Sequence, residues 1–183
     1  MKKMTLVISL FLALTTSVIG QDIQEAPSNK AVVYFVRTSS SGFAINFSYF
    51  DSTKLIGIFA GQGYFRYECE PGSHLFWARS ENKDFIEANV DAGKIYFIEA
   101  IVMMGFVKAQ VRLTPVDPTN LKKMKSVFKV INKRSAEILT EEEMKTKTDE
   151  FAEVISRGLQ KHKEDKESGS EIKRLDPNMF YNK

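Results

Sequence analysis

Apolar and polar residues alternate along most of residues 30–117, and a period of two is typical of half-buried β-strands. The alternation is clearest in residues 43–51, where Phe43, Ile45, Phe47 and Tyr49 share one side. About eight such segments lie between turn residues: 31–36, 43–51, 54–59, 63–70, 73–80, 84–90, 94–103 and 106–113. Their short, regular spacing predicts a mainly β domain, an antiparallel β-sandwich.

A Pro-Gly pair separates two of these segments. Pro71 presets the first position of a type II turn, and Gly72 tolerates the positive φ of the second. The pattern therefore predicts a hairpin that pairs residues 63–70 with residues 73–80. Counting outward from the turn divides the side chains into two faces. The predicted core face carries Phe65, Tyr67, Cys69, His74, Phe76 and Ala78, and the other face carries Tyr64, Arg66, Glu68, Leu75, Trp77 and Arg79.

Four residues of the second face are candidates for ligand binding: Tyr64, Arg66, Trp77 and Arg79. The predicted pairing places Arg66 opposite Trp77, where a cation–π contact can form. Aromatic rings beside arginine suit sugars or anionic polymers. The alternative is that the second sheet or a C-terminal helix covers this face, since a large exposed apolar patch is unusual on a monomer.

The period changes after Pro115 and Pro118, and residues 118–166 are predicted to form a helical appendage, which makes the whole chain α+β. Thr140 and Glu143 have the spacing of a capping box at the start of the second helix. The apolar stripes are Leu121, Met124, Phe128 and Ile131 in the first helix, and Met144, Phe151, Ile155 and Leu159 in the second. Leu121, Met124, Phe128, Met144, Phe151 and Ile155 are candidate partner-binding residues. The alternative is that both stripes pack on the β domain, as most amphipathic helices do. A tail of residues 167–183 is expected to be ordered only if its Met-Phe-Tyr segment, residues 179–181, docks.

The N-terminus predicts export. Lys2 and Lys3 precede an apolar run of residues 6–14, and the small Gly20 suits signal peptidase, so residues 1–20 are predicted to be a signal peptide. A retained membrane anchor is the alternative, but the run is shorter than the roughly 20 residues of a spanning helix. Residues 21–29 would then be a flexible leader of a periplasmic or secreted protein, without a further membrane span. Loss of the two lysines lowers the formal charge from +3 to +1, which does not favour a nucleic-acid partner.

Few residues suggest chemistry. The single cysteine excludes an internal disulfide, but the predicted hairpin places Cys69 opposite His74, the pair that a thiol nucleophile needs. No third orienting residue is evident for such an enzyme, so both side chains are expected to fill the core. The only other histidine, His162, is remote in sequence, and neither a metal site nor a cofactor is predicted. Three aspartates, Asp51, Asp84 and Asp91, could meet at a sandwich edge and hold calcium, although solvated turn positions are the expected role.

Several segments between residues 31 and 117 carry a resemblance to a known family: 32–37 (VVYFVR), 63–64 (GY), 70–74 (EPGSH) and 92–97 (AGKIYF). In these motifs the chain resembles an uncharacterised bacterial family of exported β domains, similar in its Pro-Gly hairpin to PEGA-type surface domains. The resemblance implies a small β-sandwich that acts as a binding or structural module at the cell envelope, with no catalytic residues. We therefore expect a non-enzymatic exported module whose partner is an envelope protein or a glycan. The alternatives are an enzyme that uses Cys69 and His74, and an envelope assembly factor that acts through the C-terminal helices.

Overall fold

A computed structural model describes residues 23–104 and 109–182, so the predicted signal peptide lies outside the described residues. The described residues form nine strands and three helices. The strands are β1 (Ala31–Arg37), β2 (Asn46–Asp51), β3 (Lys54–Ala60), β4 (Gly63–Cys69), β5 (Gly72–Arg79), β6 (Lys83–Val90), β7 (Ile95–Met104), β8 (Ala109–Pro115) and β9 (Lys173–Leu175). The helices are α1 (Leu121–Ile131), α2 (Glu141–Glu150) and α3 (Ala152–Glu167). The prediction of a mainly β fold is confirmed, but the predicted strand count is too low, because the three-residue β9 lies in the predicted tail.

The strands form two sheets. One is four-stranded, in the order β4-β1-β7-β8, and the other is five-stranded, in the order β3-β2-β5-β6-β9. The inner faces of both sheets contribute to one buried cluster, which is consistent with a sandwich. Both sheets are mixed rather than purely antiparallel, because β1 pairs with β7 and β6 pairs with β9 in parallel.

The predicted hairpin does not exist, because its two strands lie in different sheets. β4 pairs with β1, with Phe65 opposite Phe35, whereas β5 pairs with β2 and β6. The Pro71-Gly72 link therefore carries the chain from one sheet to the other, with Gly72 at the predicted positive φ of 121°. Five of the six residues of the predicted core face nevertheless lie at the core, and His74 is the exception. Phe65, Cys69, Phe76 and Ala78 are buried in the shared cluster, and Tyr67 packs against it.

Helices cover the outer face of each sheet. On the four-stranded sheet, Met124 and Val127 of α1 pack in one cluster with Val32 and Tyr34, and Lys123 forms an ion pair with the buried Glu99 of β7. A second outer cluster joins the five-stranded sheet to α3. It contains Phe50, Leu55, Trp77, Phe85 and Ile155. Most of both predicted apolar stripes therefore packs on the β domain, as the alternative interpretation expects.

The predicted second helix is two helices. α2 begins at the predicted capping box, in which the Glu143 backbone N–H donates to Thr140 Oγ1 at 3.2 Å and Thr140 N–H donates to Glu143 Oε2 at 2.8 Å. Phe151 interrupts the helical backbone, and α3 follows it. The interruption lets Phe151 pack 5.8 Å from the Phe50 ring while α3 crosses Trp77.

The first and the last of the described residues pack on the rest of the fold. Tyr181 N–H donates to the carbonyl of Ile95 at 2.7 Å, and the Tyr181 ring packs against both Phe97 and Phe128. The predicted tail therefore docks on the β domain through residues 179–181, the segment that the sequence analysis singles out. Ile23, within the predicted flexible leader, is buried beside α1 and the four-stranded sheet. None of the helices that the structure describes has the length and apolarity to cross a membrane.

Candidate functional site

The four predicted ligand-binding residues do not share a surface. Tyr64 and Arg66 lie on the outer side of the four-stranded sheet, whereas Trp77 and Arg79 belong to the other sheet. Trp77 is fully buried beneath α3, where its ring stacks 3.9 Å from that of Phe50. The expected pairing of Arg66 with Trp77 is therefore wrong, and the alternative that a C-terminal helix covers this face is correct for Trp77.

The six predicted partner-binding residues are mostly covered as well. Met124 and Ile155 are buried, and Phe128 and Phe151 are half-buried against the sheets. Leu121 remains 80% exposed. Met144 has a different role, since it lines a cleft on the molecular surface.

This cleft, which we call the edge cleft, has a volume of about 930 Å³ and lies where strands β3 and β4 approach the segment between α1 and α2. Tyr64 and Arg66 are the two predicted ligand-binding residues that line it. The lining residues are Gln24, Tyr34, Lys54, Ile56, Tyr64, Phe65, Arg66, Tyr67, Glu68, Ile131, Ser135, Ala136, Glu137, Ile138, Leu139, Glu141 and Met144. The volume lies in the range of ligand-binding clefts.

Strand β4 is the edge of its sheet and turns part of its backbone toward this cleft. Val32 N–H donates to the carbonyl of Lys94, so the even-numbered residues of β1 bond to β7 and the odd-numbered ones bond to β4. Tyr64 lies opposite Val36, an even-numbered residue, so its peptide groups point away from β1. A second observation agrees, because the Tyr64 carbonyl accepts a 2.8 Å hydrogen bond from Glu137 N–H.

The same alternation turns the backbone groups of Arg66 and Glu68 outward. Neither backbone amide points toward β1, and neither takes part in a backbone hydrogen bond outside the sheets among the described residues. The segment between α1 and α2 therefore bonds to the backbone of β4 at Tyr64, and among the described residues it makes no such bond to Arg66 or Glu68. An edge with open donors and acceptors is a template for another strand.

Two other sheet edges are covered. On β8, Asn82 accepts from Val111 N–H and donates to its carbonyl, and Asp84 accepts from Leu113 N–H. On β3, Thr148 of α2 accepts from Leu55 N–H at 3.1 Å. On β8 and β3, side chains of the protein bond to the outward backbone groups. Arg66 and Glu68 of β4 differ from these two edges, because no such bond to their backbone is present among the described residues.

The edge cleft combines charged and apolar groups. Arg66 pairs with Glu68 and lies close to Tyr34, whose pKa is raised by burial despite the opposing effect of this arginine. Lys54 lies 5.9 Å from the centre of the Tyr67 ring. Ile138, which follows the strand-like contact at Glu137, is 80% exposed. The cleft thus carries apolar surface that a bound partner would remove from water.

A separate polar cluster links the two sheets. Asp51 at the end of β2 accepts hydrogen bonds from His74 Nδ1 at 2.8 Å and from the Tyr67 hydroxyl at 3.1 Å. The other ring nitrogen of His74 lies 2.8 Å from the Glu70 carbonyl. The hydrogen bond to Asp51 is the main cause that raises the pKa of His74 to about 10, so the ring is a cation at neutral pH.

Cys69 and His74 are neighbours, as the sequence predicts, although they face each other across two sheets. The side-chain hydrogen bond between them also favours the protonated ring. Asp51 supplies the orienting carboxylate that the sequence does not reveal, because it lies in another strand. Cys69 is only 5% exposed, however, and neither residue lines the edge cleft. The group therefore has the geometry of a buried ion pair rather than of an accessible nucleophile.

We expect Cys69 to resist thiol reagents in the folded protein. Its burial excludes the reagent until the sheets separate, so labelling should follow global unfolding. Mass spectrometry after reaction with a water-soluble disulfide reagent, in buffer and in denaturant, measures this. Rapid stoichiometric labelling in buffer would instead indicate a reactive, accessible thiol.

The three aspartates that could have held calcium at a sandwich edge have separate roles in the structure. Asp51 binds His74, Asp84 pairs with Lys173 of β9, and Asp91 is exposed. Within the described residues, no group of three histidine, cysteine or acidic side chains has the arrangement of a metal site. The chain matches no protein-family model, and a search of curated proteins finds no match to it.

Proposed function

We propose that this protein is an exported, non-enzymatic binding module of the cell envelope, and that the edge cleft binds an extended segment of another envelope protein. The observation that carries the proposal is the open backbone edge at Arg66 and Glu68, which faces a cleft with apolar walls. Addition of a strand to such an edge gives affinity through main-chain hydrogen bonds, and adjacent pockets select side chains.

The contact between Glu137 and Tyr64 supports an extended polypeptide as the occupant. A segment of the chain itself already bonds to the outward side of β4, at 2.8 Å. A partner strand would continue the same ladder at Arg66 and Glu68. Its apolar side chains would contact Ile56, Ile138 and Met144, which line the cleft.

The export part of the proposal depends on residues 1–20. Their basic start, apolar run and small residue at position 20 have the order of a secretory signal peptide. Cell fractionation of the tagged protein, with N-terminal sequencing of the mature form, tests this part independently. A product that keeps residues 1–20 in the cytoplasm would contradict export but not the binding role of the cleft.

The binding role is tested with peptides selected from a random display library and then synthesised as probes. We expect Arg66→Pro to abolish binding and Arg66→Ala to weaken it only in part. Both variants lose the guanidinium group, but only proline removes the outward N–H. Because this N–H points away from β1, proline leaves the ladder between β1 and β4 intact and is tolerated at an edge.

Hydrogen exchange supplies the second measurement. In the complex, the amides of Arg66 and Glu68 should gain protection, while those of β8 should not change. Equal loss of affinity in both arginine variants, without added protection at β4, would overturn strand addition. A glycan that binds with the same variant pattern would instead assign the cleft to sugars.

A further inference from the structure

A second cavity, of about 260 Å³, lies between the turn that joins β5 to β6 and helix α3. It shares no lining residue with the edge cleft. We call it the cation pocket, and its lining residues are Arg79, Ser80, Glu81, Asn82, Lys83, Val154 and Arg157. Three of these seven side chains are cationic and one is acidic.

The β-hairpin itself forces two of the cations together. Arg79 and Lys83 are directly opposite each other in the ladder between β5 and β6. Like charges at such positions, with Cβ atoms about 5 Å apart, repel and destabilise the pair. Neither side chain has an ion-pair partner among the residues that the structure describes.

Helix α3 adds a third positive charge from the opposite wall. Arg157 lines the pocket, and its one ion pair among the described residues is with Glu153, at 3.4 Å, one turn earlier in the same helix. Both of those side chains are more than half exposed, so this pair holds the guanidinium group weakly. Arg157 is therefore available to a ligand in the pocket.

The crowding of positive charge affects the pKa of Lys83. Burial lowers its pKa, and the neighbouring charges of Arg157, Arg79 and Lys161 lower it further. An anion between these groups would relieve the repulsion and restore the pKa of the amine. A negative ligand in the pocket would therefore be attracted by several positive charges at once.

The polar side chains of the turn hold its shape. Ser80 Oγ donates to the carbonyl of Ala109, and both amide atoms of Asn82 bond to the backbone of Val111. These bonds fix the turn against β8 and leave ligand recognition to the cations. Two arginines and a lysine in one small cavity match the oxygen atoms of a tetrahedral oxyanion.

We propose that the cation pocket binds a phosphate or sulfate group through Arg79, Lys83 and Arg157. Its volume suits a single oxyanion with part of the attached alcohol rather than a buried polymer. The group can belong to a small free ester or to a phospholipid headgroup, and both present the same oxygen atoms. This inference does not depend on the role of the edge cleft.

Inorganic phosphate and inorganic sulfate, titrated into the purified protein at low ionic strength, are the first probes. Calorimetry gives the affinity, and NMR of the lysine amines reports the pKa of Lys83. We expect the double variant Arg79→Gln, Lys83→Gln to weaken binding by about tenfold or more. The control Lys122→Gln, Lys125→Gln removes the same charge from exposed positions of α1 and should bind as the wild type does.

Vesicles distinguish the two sources of the anion. Binding to phosphatidylglycerol but not phosphatidylcholine vesicles, lost in the pocket variant alone, assigns a lipid headgroup. Binding of the free anions without vesicle binding assigns a soluble ester. Equal weakening in the pocket and control variants, or no anion-dependent rise in the pKa of Lys83, would overturn the proposal.

Discussion

Gly158→Ala should destabilise the protein, although alanine is the better helix former. A Cβ atom at position 158 would lie 2.6 Å from the outer edge of the Trp77 ring. This ring cannot retreat, because it stacks on Phe50 and its Nε1 donates to the Ser52 carbonyl at 2.9 Å. Helix propensity favours alanine by about 1 kcal/mol, while overpacking of a rigid core costs roughly 1–3 kcal/mol and more when the atom in contact cannot move. We therefore expect a net loss of about 1–2 kcal/mol.

Trp77 is the only tryptophan in the chain, so its fluorescence reports directly on this contact. Urea unfolding followed by fluorescence and by circular dichroism gives the free energy of unfolding. Ser156→Ala, at an exposed position of the same helix, controls for propensity and should be neutral or slightly stabilising. An unchanged or higher stability for Gly158→Ala would mean that α3 is not held at this distance from the sheet.

Periodicity predicts which side chains are buried better than it predicts which strands are paired. The alternation predicts one core face for Phe65 and Phe76, and both lie in the shared core. The alternation is identical whether two strands lie side by side in a hairpin or face each other across two sheets. A short Pro-Gly link permits both, and only the partners β1 and β2, distant in sequence, decide between them.

The same ambiguity in strand pairing explains why the predicted ligand-binding residues do not form one site. Tyr64 and Trp77 lie on outward faces, as predicted, but on opposite sheets, so the predicted common surface is divided. The edge cleft was not predictable, because it depends on where the segment between α1 and α2 meets β4. The pairing of Arg79 with Lys83 is easier to predict from the sequence, because a count across the turn at residues 80–82 places the two residues opposite each other.

Asp51→Asn should be the most damaging polar substitution in the inter-sheet cluster. The side chains of Asp51 and His74 are only 11% and 13% exposed, so the asparagine variant would bury a cationic ring without its counter-charge. Removal of one partner from a buried ion pair costs roughly 3–5 kcal/mol. Because both groups retain slight contact with solvent, we expect a loss of about 3 kcal/mol near pH 6.

This loss should shrink as the pH rises. The pKa of His74 is raised from 6.5 in the unfolded chain to about 10 in the folded protein, so its stabilisation is complete below pH 6.5 and declines toward pH 10. The free energy of unfolding of the wild type should fall by up to about 1.4 kcal/mol per pH unit from this group, whereas Asp51→Asn lacks most of this slope. Unfolding in urea between about pH 6 and pH 9, below the range in which tyrosine ionises, measures both slopes. His74→Gln, which retains Asp51, should show the same weak pH dependence of the free energy of unfolding as Asp51→Asn. The same pH dependence in all three proteins would show that the His74 ring is not held as a cation.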